Sequence, residues 1–212
     1  MEINQYGNPD ANTILLQMTD EHESQGIVSE INHINELTNQ EYCLVTCQVD
    51  DWNRDLSPWT ALPVFGKEPF GGGAAVTLDF LRTQVIPQFQ GKVFVIGGYS
   101  LAGLFALWAG CTTDIFTGVA AASPSVWFPG FVSFAVEHPI QSKAVYLSLG
   151  DREEKAKNPL MSQVGNAINQ IYKSVAARKT VKTTLEWNPG NHFKDPDIRT
   201  AKAFAWVMNH IQ

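Results

Sequence analysis

The stretch Lys92–Trp108, KVFVIGGYSLAGLFALW, decides the fold. Its apolar run Val93–Ile96 suits a buried strand, breaks at Gly97-Gly98, presents Ser100, and resumes as Leu101, Ala102, Gly103, Leu104 and Phe105 before further helix formers. The reading is strand, sharp turn, helix. A turn of this kind holds a serine in a strained backbone conformation, and small neighbours let the strand and the helix pack closely. Ser100 is therefore the expected nucleophile. The strict pattern Gly-x-Ser-x-Gly is missed by one place, because Ala102 follows Leu101 and the glycine comes only at Gly103. An alanine is small enough to keep the packing argument intact.

The same rhythm extends outward in both directions. Upstream, Thr13–Met18 and Tyr42–Val49 read as buried strands and Met1–Gly7 as an edge strand, while Ile27, Ile31, Ile34 and Leu37 recur near a helical period. Residues Thr19–His22 and Asp50–Trp59 read as loops, the second long and unusually aromatic. Gly71-Gly72-Gly73 opens a helix with Leu78, Leu81, Val85 and Ile86 on one face, which Pro87 ends or kinks. Downstream, Gly118–Ala122, Ala144–Leu149 and the alternating Val181–Trp187 continue the strands. Asn158-Pro159 starts an amphipathic helix running through Val175, and Asp195 caps the closing helix with Pro196 in its first turn. Strands alternating with helices predict an α/β protein with a mostly parallel sheet of about six or seven strands, helices on both faces, and ligand-binding loops at the strands' carboxyl ends.

Composition bounds the function. With 212 residues, 44% of them hydrophobic, the chain is expected to form one domain over residues 1–212. Fifteen Lys+Arg against 21 Asp+Glu give a net charge of −6 with no basic cluster, which argues against nucleic acid as a partner. No basic-then-apolar leader is present, and no apolar run approaches the roughly 18 residues that span a bilayer, so a cytoplasmic protein without a membrane partner is expected. Cys43, Cys47 and Cys111 lie in apolar contexts, with no Cys-x-x-Cys and no nearby histidine, and read as buried thiols. Neither a metal nor a cofactor is expected.

A serine hydroxyl is a weak nucleophile at neutral pH and needs a base within hydrogen-bond reach and an acid that orients that base. His192, in the loop Asn188–His192 after the last strand, is the candidate base. His33 and His210 fall in predicted helices, His138 precedes Pro139, and His22, in the loop after the first buried strand, suits pocket lining. The acid is expected after Leu149, where Asp151, Glu153 and Glu154 crowd together; in many hydrolases of this architecture a glycine ends the strand and the acid follows three residues later, which would select Glu153, with Asp151 and Glu154 as the alternatives. One oxyanion donor is the backbone N–H of Leu101 and the other is sought in Thr19-Asp20. Trp52, Trp59, Trp127 and Phe128 are candidates for the pocket wall. Arg54 is placed either to meet an anionic substrate or to pair with Asp51 or Asp55.

The order Ser100, acid, His192 is the order of α/β-hydrolases. With GGYSLAGL, ASPSVWF, SLGDREEK and GNHF in view, the chain resembles the esterase family of α/β-hydrolases that includes esterase D and the enterochelin (siderophore) esterases. The segments SPSVW and DDWNRDLSPW carry the similarity further. The resemblance implies an α/β-hydrolase fold, N-terminally minimal and without a large lid domain, and a carboxylic-ester hydrolase with Ser100 as nucleophile and His192 as base. The expected substrate is a small-molecule acyl or aryl ester, siderophore-type lactone esters among them, and the expected state is a monomer or small homo-oligomer. Two other readings use the same residues: acyl transfer through the same acyl-enzyme, and a non-catalytic binding module, for which Ala102 and the short N-terminus are the motive.

Overall fold

The computed structural model of the protein describes residues 1–64 and 66–211. In chain order the elements are β1 (Glu2–Gly7), β2 (Thr13–Thr19), α1 (Glu21–Ser24), α2 (Ile27–Leu37), β3 (Tyr42–Gln48), α3 (Trp52–Leu56), β4 (Thr60–Ala61), β5 (Phe70–Gly71) and α4 (Ala74–Phe80). They continue as β6 (Val93–Tyr99), α5 (Ser100–Thr112), β7 (Phe116–Ala122), α6 (Phe131–Glu137), β8 (Ala144–Gly150), α7 (Val164–Ala176), β9 (Lys182–Asn188) and α8 (Pro196–Met208). Seven strands form one sheet in the order β1-β3-β2-β6-β7-β8-β9, with β4 and β5 a separate two-stranded ribbon. Only β1, on the edge against β3, runs antiparallel in the seven-stranded sheet.

The continuous apolar runs seen in sequence are strands buried on both faces, as a parallel sheet covered by helices requires. Side chains alternate across the pleat. Leu15 and Val95 pack with Ile27 and Ile34 of α2 and Phe204 and Val207 of α8, whereas Ile14, Leu16 and Ile96 pack on the opposite face with Leu104 of α5 and Ile168 of α7. No separate lid domain stands over the strand ends among the described residues, and no helix there is long and apolar enough to cross a membrane.

Several local expectations change. The Thr19–His22 loop contains α1, capped by the Asp20 carboxylate accepting from the Glu23 N–H at 2.7 Å. The Asp50–Trp59 loop contains α3, capped in the same way by Asp51. Both helices are too short for periodicity to reveal, and their caps were the available signal. The helix beginning at Ala74 passes through a π turn at Leu81–Val85 and ends in a 3₁₀ turn holding Pro87. Asn158 does cap, accepting from Leu160 and Met161, but it starts a 3₁₀ turn and α7 begins only at Val164. Asp195 occupies the cap position of α8 with φ 53° and makes no side-chain cap bond, so its carboxylate does not play the role expected of it.

Glu30 is the one acidic residue of α2 that faces inward, 3% exposed, with a single hydrogen bond from Gln17 Nε2 at 3.2 Å to its Oε2. Burial pushes its carboxyl up from 4.5 to about 8, with Glu23 and Asp197 adding to the effect against the Gln17 bond. The folded state therefore keeps a proton that the unfolded chain releases above pH 4.5. Its stabilising effect is complete below 4.5 and is lost as pH climbs to about 8, at up to about 1.4 kcal/mol per pH unit. Glu30→Gln keeps a neutral hydrogen-bonding group and removes that slope. Urea unfolding at pH 5 and pH 8 is expected to show the variant gaining on the wild type as pH rises; parallel curves would refute it.

Candidate active site

Ser100 sits at the junction of β6 and α5 with φ 55°, one of three non-glycine residues at positive φ among the described residues. Strain of this kind in a non-glycine residue lifts the hydroxyl clear of both elements and persists only where packing imposes it. The packing is visible. A Cβ on Gly98 would come within 2.7 Å of the Ala102 Cβ, and one on Gly103 within 3.2 Å of Pro124. Ala102 is thus accommodated because Gly98 leaves room for its methyl, and Gly103 supplies the close approach to the chain after β7.

His192 Nε2 lies 2.9 Å from Ser100 Oγ, and His192 Nδ1 lies 2.7 Å from Glu153 Oε2. The imidazole is 23% exposed and the Glu153 side chain 4%, so the line runs from a buried carboxylate to an accessible serine. Glu153 Oε1 accepts the Gly150 N–H at 2.7 Å and faces Arg199 Nη1 at 3.1 Å. Gly150 is required by this crowding, since a Cβ there would strike the Gly190 carbonyl and come within 3.0 Å of both Arg199 and Glu153. The other two carboxylates point elsewhere. Asp151 is exposed and accepts the Gly190 N–H at 2.8 Å, stitching the loops after β8 and β9, while Glu154 packs over Gly165 on α7.

Leu101 lies in the first turn of α5, whose N-terminus has no side-chain cap, so its backbone N–H remains available at the serine. The Thr19-Asp20 turn leaves the carboxyl end of β2, the strand beside β6. The Asp20 carboxylate is engaged in capping α1, and the buried Thr19 hydroxyl has no partner among the described residues. Ser125, which sequence reading noted only as part of the SPSVW segment, has its hydroxyl 3.3 Å from Ser100 Oγ and donates its N–H to the Ser100 carbonyl.

A cleft of about 230 Å³ lies against Glu153 and His192, walled by Trp127, Met161, Val164 and Phe193, with Arg152 and Lys155 also lining it. Phe193 is 85% exposed. Of the other residues considered for the pocket, Trp52 packs on the core from α3, and Trp59 packs edge-on against Phe128 and Phe134 with its indole N–H on the Pro129 carbonyl. Arg54 grips Asp55 with two hydrogen bonds at 2.7 and 3.1 Å. Burial opposes ionisation of Asp55, but the Arg54 and backbone hydrogen bonds outweigh it and hold the carboxyl below the usual range. His22 lines a different recess with Glu23, Glu30 and Asp197. All three thiols are free and buried, and burial pushes Cys47 and Cys111 up to about 12, which leaves them inert.

Sequence reading missed Arg199. Its signal was available, because it heads the stripe Arg199, Ala203, Val207 that α8 buries.

No protein-family model matches the sequence, and no curated protein matches it significantly. Solved structures do. An IroE-like serine hydrolase from Shewanella oneidensis superposes with a TM-score of 0.74 at 17% identity, covering 96% of this chain and 74% of its own. The siderophore hydrolase EstA from Aspergillus nidulans gives 0.67 at 19% identity, over 96% and 85%. The enterobactin esterase FES from Shigella flexneri gives 0.63 at 14%, over 97% and 54%. Together with the strand order and the turn at Ser100, these likenesses establish that the chain has the α/β-hydrolase fold.

Proposed function

We propose that this protein is a serine-dependent carboxylic-ester hydrolase working through an acyl-enzyme. The observation that carries the reading is the hydrogen-bonded line Glu153–His192–Ser100 ending at a serine held at φ 55°. In this mechanism His192 Nε2 takes the Ser100 proton as Oγ attacks the ester carbonyl, and Glu153 at Nδ1 fixes the tautomer and stabilises the imidazolium. The Leu101 N–H and a donor from the Thr19-Asp20 turn receive the oxyanion. The same imidazolium then protonates the leaving alcohol, and a water activated by His192 releases the acid.

The cleft favours an acyl or aryl ester of modest size, since its walls are apolar and aromatic. Arg152 and Lys155 add attraction for a negatively charged substituent. Siderophore-type lactone esters fall in that class, and two of the three structural neighbours described above carry siderophore or enterobactin hydrolysis in their names. The test is a panel of p-nitrophenyl acetate and butyrate beside anionic aryl esters, together with fluorophosphonate labelling. Turnover with a lower KM for the anionic aryl esters is expected. No turnover of any ester and no labelling of the folded protein would leave a binding module as the better account.

A further inference from the structure

We propose that Arg199 is a positioning residue for the acid and base of this site, a role that rests on the ester-hydrolase reading. The side chain is 2% exposed, and a cation this deeply buried is tolerated only where it is paired and hydrogen-bonded. Its guanidinium meets the loops at the carboxyl ends of four neighbouring strands. Nη1 lies 3.1 Å from Tyr99 Oη at the end of β6, 3.1 Å from Ser123 Oγ after β7 and 3.1 Å from Glu153 Oε1 after β8. Nη2 donates to the Pro189 carbonyl after β9 at 3.2 Å.

Two consequences follow for the reacting groups. The terminal torsion of a glutamate is broad, so a carboxylate held only by its imidazole partner would swing. Arg199 and the Gly150 N–H both hold Oε1, which leaves Oε2 directed at His192 Nδ1. The base is held through Tyr99. Burial pushes its phenol up to about 12, so it stays protonated, and it donates to the His192 carbonyl at 2.6 Å while its oxygen faces Arg199. Arg199 also bonds Ser123, whose φ of 42° marks a second strained turn beside the site. One side chain thus sets the acid's rotamer and ties the base's loop, without touching substrate.

The experiment measures kcat, KM and thermal midpoint for p-nitrophenyl butyrate with the wild type, Ser100→Ala, Arg199→Met, Arg199→Lys and Tyr99→Phe. Arg199→Met is expected to lower kcat by about 10- to 100-fold with KM within about threefold. Arg199→Lys keeps the charge but not the fork, so it should recover kcat only to about tenfold below the wild type. Tyr99→Phe removes the link to the His192 carbonyl together with the phenol oxygen that faces Arg199 Nη1, leaves the Arg199–Glu153 pair in place, and should lower kcat by about threefold; it and the lysine variant carry the test if Arg199→Met does not fold.

A lower thermal midpoint with kcat unchanged in the folded variants would make Arg199 merely structural and overturn the proposal. Equal rates for the wild type and Ser100→Ala would instead overturn the hydrolase reading, and this role with it.

Discussion

Replacing Ser100 with alanine is expected to lower kcat for p-nitrophenyl butyrate by a factor of about 10⁴ or more, with KM changed by less than about threefold. The reasoning starts from the proton line. His192 Nε2, 2.9 Å away, has no nucleophile to deprotonate once Oγ is gone, so the acyl-enzyme cannot form. The cleft proposed to take the ester is untouched, because its walls come from Trp127, the Arg152–Ala156 segment, the start of α7 and the His192 loop. The fold should also survive. Alanine inherits the same φ of 55°, and the Ser100 carbonyl still accepts the Ser125 N–H at 3.0 Å. Steady-state kinetics with a matched thermal midpoint decides the matter. Retention of more than a hundredth of wild-type kcat by a correctly folded variant would remove Ser100 from the role of nucleophile.

Glu153→Gln is expected to do two things at once. Its amide places an N–H donor where Nδ1–H of the imidazole needs an acceptor, which favours the wrong tautomer, and kcat should drop by about 10³ to 10⁴. Arg199, buried beside it, loses its carboxylate partner, and leaving one half of a buried ion pair costs about 3–5 kcal/mol of stability. The controls are Asp151→Asn and Glu154→Gln. Asp151 holds the exposed Gly190 N–H and Glu154 lies over Gly165, so each should stay within about tenfold of wild-type kcat. Chemical denaturation read beside kinetics separates the two effects. A larger kinetic loss in Asp151→Asn than in Glu153→Gln would assign the acid to the other carboxylate.

The legibility of the chain varies with the length of the signal. All seven strands of the main sheet were readable: the five inner strands, covered on both faces, are apolar runs bounded by turns, β9 at one edge showed the alternation of a half-exposed strand, and β1 is the exposed strand at the other edge. Short elements were not. α1 and α3 are 4 and 5 residues long and rest on Asp20 and Asp51 caps inside polar segments that read as loops. The β4–β5 ribbon pairs two residues with two, below any periodicity. Asp195 and Pro196 have the composition of a helix start, but the backbone before the proline turns to φ 53° and takes the carboxylate out of reach of the first-turn N–H groups.

For the site, chain order and strand ends were enough to bring forward Ser100 and His192, because any residue just past the carboxyl end of a parallel strand arrives at the same rim of the sheet. The choice among Asp151, Glu153 and Glu154 is different in kind. Residues one and two apart in a turn point in unrelated directions, and only the packing of the β8 loop against β9 and α8 turns Glu153 toward His192 and the others away. Arg54 illustrates the same limit, its charge engaged with Asp55. Ala102 fits because of Gly98, four residues earlier and on another element. The amino-acid sequence by itself therefore determined the parallel sheet, its helices and the turn at Ser100, since these depend on periodicity along the chain. The tertiary structure alone decided which carboxylate faces His192 and that Arg199 stands behind it, because those pairings join residues tens of positions apart.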